Sequence, residues 1–143
     1  MKTIFAIVLM FCFSFVAQAD VNFGGHAEII NIHPISSVST SADGTAVDMQ
    51  LYTGRCKAFV EAKSASADPT STLNIKLKES ATSGGSYTDV VGGGFTQITS
   101  ADASQSIVIN KDNQMRYLKL YRAFVGPSAY YMSGKIICEK KYR

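Results

Sequence analysis

The amino-acid sequence predicts an all-β protein: a single antiparallel β-sandwich, jelly-roll-like, of about seven or eight strands after an N-terminal signal peptide. Three observations predict it. Residues alternate apolar and polar with a period of two, as at Leu73-Asn74-Ile75-Lys76-Leu77-Lys78. Short β-prone runs recur at spacings of about ten residues, separated by Gly, Ser, Asp and Pro. No stretch keeps a 3.6-residue apolar period over three turns, so helices and βαβ units are not expected.

The chain starts with an export signal. Lys2 precedes an apolar run from Ile4 to Val16, and Ala17-Gln18-Ala19 closes it. A positive start, a short apolar stretch and an A-x-A ending describe a secretory signal peptide, residues 1–19, cleaved after Ala19. The run is short for a membrane span and Asp20 follows at once, so no stable span is expected after cleavage. The competing readings are a retained anchor or a buried strand of a protein that is not exported. Removing 19 of 143 residues leaves 124, and the formal charge falls from +3 to +2 with the loss of one Lys. Such a balance does not call for nucleic acid, which needs bases clustered on one face or interleaved with aromatics. The basic residues look scattered along the chain, apart from the tail Lys140-Lys141-Tyr142-Arg143, which reads as a solvated end.

Residues 20–45 read as an N-terminal arm and linker, with the stretch up to Pro34 an irregular arm or a first strand, AEIINI, ended by proline. Val21, Phe23, Ile29, Ile30 and Ile32 are apolar but interrupted by Gly24-Gly25 and stopped by His33-Pro34. They are the candidate assembly arm, since such arms can add to a neighbour's sheet. Ser36–Thr45 is a polar connection. The sandwich proper is expected over residues 46–143. Val47, Met49 and Leu51 alternate as a strand that Gly54-Arg55 breaks. In Cys56–Lys63 the small side chains Cys56, Ala58, Val60 and Ala62 share one face, and Phe59 is the apolar exception on the other. Residues 64–72 are a loop with a turn at Asp68-Pro69. Residues 71–98 then form a hairpin, reversing at Ser83-Gly84-Gly85-Ser86 and broken again by Gly92-Gly93-Gly94. Residues 105–110 are a strand, Lys111-Asp112-Asn113 a turn, and Met115–Val125 a long Tyr- and Leu-rich strand. Ala129–Glu139 closes the domain.

Cys12 falls in the signal peptide, leaving Cys56 and Cys138 as a pair. In an oxidising compartment two such thiols are expected to bridge, closing a loop whose chain-entropy effect is about 4 to 5 kcal/mol. Two buried free thiols are the alternative in a reducing one. There is no CxxC and no metal-ligand spacing, so no metal or cofactor is expected. Catalysis finds little support. His26 and His33 both lie in the arm, no G-x-S-x-G elbow is present, and Asp48, Glu61, Glu79 and Asp89 are carboxylates without a distinctive pairing. A secreted hydrolase is therefore the weakest reading, and no catalytic residue is assigned. Tyr117, Tyr121, Tyr130 and Tyr131 are candidate surface aromatics for a sugar; half-buried strand tyrosines are the commoner alternative, and the chain has no Trp.

The run Leu73–Ser80 (LNIKLKES), then Gly84-Gly85-Ser86-Tyr87-Thr88-Asp89-Val90, Phe95 and Ile98, and the late strand Arg116-Tyr117-Leu118-Lys119-Leu120, resembles small β-sandwich proteins encoded among the virion genes of tailed bacteriophages. The resemblance spans roughly Val47 to Lys135 and lies in strand and turn patterns. It implies a non-enzymatic structural role as a capsid decoration or other accessory virion subunit, contacting capsid proteins, other virion subunits or copies of itself. The signal peptide and the cysteine pair depart from that pattern, since phage heads assemble in the cytosol. They point instead to an exported protein, periplasmic or extracellular. An exported bacterial adhesin, fibre subunit or carbohydrate-binding module is the alternative expectation.

Overall fold

The structure is a computed structural model and describes residues 26–66, 68, 70–99 and 101–141. Residues 1–19, expected to be a signal peptide, and Val21, Phe23, Tyr142 and Arg143 lie outside the described residues. Ten strands are present among them: β1 (Ala27–Val38), β2 (Ala42–Asp43), β3 (Val47–Asp48), β4 (Tyr52–Ser64), β5 (Thr72–Ser80), β6 (Thr88–Gly94), β7 (Ile98–Thr99), β8 (Ala103–Asn110), β9 (Tyr117–Val125) and β10 (Tyr130–Lys140). A 3₁₀ turn, Lys111–Asn113, joins β8 to β9 where a turn is expected.

Two antiparallel sheets make the sandwich that the sequence predicts. The four-stranded sheet has the order β1-β10-β4-β8. The six-stranded sheet has the order β2-β9-β5-β6, with β3 also beside β9 and β7 beside β5. The alternation dictates what lies between them. Cys56, Ala58, Val60 and Ala62 of β4 and Tyr130, Met132, Ile136 and Cys138 of β10 point inward. They meet Leu73, Ile75 and Leu77 of β5 and Leu118 and Leu120 of β9. Truncating a fully buried leucine such as Leu77 costs about 2–5 kcal/mol, and this interleaved set is what holds the layers together.

The N-terminal segment corrects the expected arm in favour of the first-strand alternative, which runs on past Pro34. Residues 27–38 are a full strand of the sandwich, paired with β10 from Ala27↔Glu139 to Val38↔Tyr130. Ile32 is 2% exposed and in the core, and Ile30 packs against it. The sandwich therefore begins by residue 27, not 46. Pro34 does not end the strand because β1 is an edge, where a missing N–H costs no ladder bond. Register shifts on both sides of His33 absorb the irregular geometry and bury Ile32 and His33 side by side.

Two glycine-based expectations also change. Gly54 does not break the chain but sits inside β4 at φ +68°. Its N–H donates to Asp112 Oδ2 at 3.0 Å, while Thr53 Oγ1 donates to Asp112 Oδ1 at 2.8 Å. The strand expected over residues 47–51 shrinks to the two-residue β3, with Met49 buried beyond it. The 71–98 hairpin forms, with Glu79↔Thr88 and Lys78↔Asp89 in register. Its second strand runs through the triple glycine, because Gly92 takes φ +72° and the ladder slips between Lys76 and Lys78.

Candidate functional site: the outer faces of the two sheets

The disulfide is formed. Cys56 and Cys138, 82 residues apart, are joined with a Cα–Cα distance of 4.4 Å. The bridge ties β4 to its neighbour β10 within one sheet and is wholly buried. Its role is structural, as it locks the central pair of the four-stranded sheet.

On the outer face of that sheet, Ile29 lies opposite Ile137 and Phe59 opposite Lys135. Phe59, the apolar exception of its strand, is thus part of a cross-strand apolar strip. Ile29 is 64% exposed, and Ile29, Phe59 and Ile137 line a hollow of about 230 Å³ with Glu61, Ser133 and Lys135. The strip continues toward Ile35, 80% exposed, and Tyr131, 53% exposed, around a second hollow of about 370 Å³. Among the described residues, Glu61, Lys63 and Lys135 on this face have no ion-pair partner.

The outer face of the six-stranded sheet is built differently. On β9, Tyr117, Lys119 and Tyr121 alternate with the buried Leu118 and Leu120. On β5, Lys76 and Lys78 alternate with Ile75 and Leu77. The register sets Lys76 opposite Tyr121, Lys78 opposite Lys119 and Ser80 opposite Tyr117. Three of the four cations have a carboxylate in reach. Lys76 Nζ meets Asp89 Oδ2, Lys119 Nζ meets Asp43 Oδ2 and Arg116 meets Asp48 Oδ2, all at 2.6 Å. The aromatic rings are covered too: Lys78 Nζ is 4.2 Å from the Tyr121 ring centre, Lys119 Nζ 3.8 Å from that of Tyr87, and the Arg116 guanidinium 5.1 Å from that of Tyr117. Hydrogen bonds from Arg116 hold the Asp48 carboxyl below its ordinary range.

The four sequence-predicted tyrosines do not form one platform. Tyr117 and Tyr121 share the six-stranded face, whereas Tyr131 sits on the opposite side of the molecule. Tyr130 is fully buried, donates its hydroxyl to Ser71 O at 2.9 Å and meets Phe124 edge-on, so it is core and not surface. The aromatic that sequence reasoning missed is Tyr87, and the bases that looked scattered converge: Lys76, Lys78, Arg116 and Lys119 share one region. The period-2 alternation of β5 and β9 was the available signal. What it lacked was the knowledge that β5 and β9 are neighbours.

His33 is buried and hydrogen-bonded to Ser36 Oγ at 3.0 Å, the spacing of a nucleophile and its base. The chemistry around it opposes that use. Burial lowers the imidazole pKa, and the Arg122 guanidinium nearby lowers it further. A general base must become an imidazolium, which a neighbouring carboxylate favours and a cation disfavours. His26 is exposed just before β1. Among the described residues no group of three or more His, Cys, Asp or Glu side chains is placed to hold a metal ion, and no helix is long and apolar enough to cross a membrane.

No protein-family model and no curated protein matches the chain. Among solved structures, the chain is similar to the SPBc2 prophage-derived protein YomS, at a TM-score of 0.48 and 9% identity, over 82% of this chain and 99% of that one.

Proposed function

We propose that the protein is a non-enzymatic structural subunit that acts by protein–protein contact, of the accessory virion kind that its strand and turn pattern resembles. The observation that carries this reading is the apolar strip Ile29–Ile137–Phe59 on the outer face of the four-stranded sheet. The exposed Ile29 and the half-buried Phe59 and Ile137 lie there beside charges that have no ion-pair partner among the described residues, an arrangement that a protein partner would cover and neutralise. The contact comes from a strand already built into the sandwich and not from an arm outside it. The disulfide favours assembly after export, in an oxidising compartment. That same bond favours the second reading, an exported adhesin or fibre subunit, in which the strip meets another copy or a cell-surface protein.

The test is the intact mass and sedimentation of the protein recovered from its native source. Co-sedimentation with virus-sized particles, lost in Phe59→Asp, is the outcome expected of a virion subunit. A disulfide-bonded chain starting at Asp20 that never co-sediments with particles would move the assignment to the exported module. Free alkylatable thiols without reductant would remove the export step from both.

A further inference from the structure

The six-stranded sheet carries a second feature, independent of the strip on the opposite side. Beside Tyr121, a shallow hollow of about 470 Å³ opens on the outer surface, lined by Asn74, Lys76, Gly94, Phe95, Tyr121 and Ala123. Its size lies within the range of small-molecule sites. The hollow exists because Gly94 stands opposite Lys76 without a side chain; a Cβ added there meets nothing within 4 Å. Phe95 and Tyr121 give it apolar walls. Asn74 Oδ1 accepts from Gln97 Nε2 at 3.1 Å, so an amide pair lies at its edge.

The charges beyond Tyr121, next to the hollow and not lining it, are unusual for a solvated sheet. Lys78 and Lys119 are directly opposed, a like-charge pairing that destabilises a sheet unless something offsets it. Asp43 offsets Lys119. Asp89 stands opposite Lys78 in register, yet its carboxylate reaches diagonally to Lys76. Lys78 is left, among the described residues, with no carboxylate and only the Tyr121 ring. One cation without a counter-anion therefore leans over an aromatic ring beside a sugar-sized hollow.

From this we infer that the hollow between β5, β6 and β9 binds an acidic sugar, a pyranose carrying a carboxylate, with Lys78 taking the carboxylate. The apolar face of the pyranose lies against Phe95 and Tyr121, and the Asn74–Gln97 amides take hydroxyls. The local charge balance selects this ligand over a polyanion. A nucleic-acid strand would present successive phosphates to a face where Asp43, Asp48 and Asp89 already neutralise Lys119, Arg116 and Lys76. A single ammonium suits a single carboxylate.

The test titrates the disulfide-bonded protein with galacturonate, which carries one carboxylate, with its methyl ester and with an oligo-dT strand, following amide NMR shifts. Galacturonate is expected to shift resonances of β5, β9 and the 94–97 segment, with the ester binding about tenfold or more weakly. Lys78→Gln should weaken the acid by a similar factor and leave the ester unchanged, and Lys78→Arg should retain binding. Gly94→Leu should abolish both at an unchanged melting temperature. A chain that ignores galacturonate overturns the inference, as does equal binding by wild type and Lys78→Gln. Tighter binding of oligo-dT, falling steeply with salt, would overturn it in favour of nucleic acid.

Discussion

The two outer faces of the sandwich expose residues to the same solvent and treat them in opposite ways. On the four-stranded sheet, Ile29, Ile35 and Tyr131 stand exposed while Glu61, Lys63 and Lys135 have no ion-pair partner among the described residues. On the six-stranded sheet, three carboxylates neutralise three cations, and Tyr87, Tyr117 and Tyr121 each have a cation over the ring. The second face exposes Val91 on its edge strand β6 but is matched in charge, apart from Lys78. The first is not. An apolar strip with unmatched charges gains by being covered by a complementary surface, because burial and charge pairing then arrive together. A self-neutralised aromatic face gains little from a large partner and much from a small polar one that fits its hollow.

That contrast can be broken in stages, beginning beneath the faces. Both rest on one core, so removing the Cys56–Cys138 link should weaken them together. Cys56→Ala/Cys138→Ala is expected to lower the unfolding free energy by about 4 kcal/mol, read from urea denaturation. A loss below about 1 kcal/mol would mean that the reduced unfolded chain is no freer than the bridged one. The next largest effect separates the faces. Phe59→Asp should weaken partner binding by about thirtyfold or more, as for an interface anchor, with stability changed by less than about 1 kcal/mol. Tyr121→Ala should leave that binding untouched. Equal losses from the two variants, measured in one co-sedimentation assay, would erase the distinction between the faces.

A smaller effect concerns the strand that carries Ile29 and Ile35. His33 is buried with a pKa below its ordinary 6.5, from burial first and Arg122 second. The unfolded chain therefore takes up a proton more readily than the folded one as pH falls. Stability attributable to His33 is present above about pH 6.5 and is lost as pH drops through that value toward the lower folded pKa. Melting temperature should fall on acidification through this window, and His33→Asn should flatten the fall. An identical slope in the variant would assign the acid sensitivity elsewhere. The smallest effect lies on the self-neutralised face. Asp43→Asn removes the partner of Lys119 and should cost about 0.5 kcal/mol, shrinking at high salt, since the carboxylate is largely solvated. A salt-independent cost above about 2 kcal/mol would show that the pair is shielded from water.

Some of this was readable in the chain as written. The inward set of β4, the hairpin of β5 and β6 and the cysteine pair all follow from alternation, turn residues and the count of thiols, which are local or compositional facts. Other readings failed for reasons that are equally physical. Pro34 looks like a stop, yet an edge strand has no neighbour on its outer side to require that N–H. Gly92-Gly93-Gly94 looks like a break, yet a glycine at positive φ lets a strand bulge and continue. Tyr130 looks like Tyr131 in composition and differs from it only by one step of the pleat, which puts one in the core and the other in water.

By itself the sequence determined which side chains share a face of each strand, because that depends on a two-residue repeat along a single segment. Only the tertiary structure decided which strands adjoin. The meeting of Lys78 with Lys119, of Tyr87 with β9, and of Ile29 with Ile137 and Phe59 joins residues tens of positions apart. Those pairings are set by how two sheets of fixed alternation bury their apolar faces against each other, a condition no single stretch of chain contains.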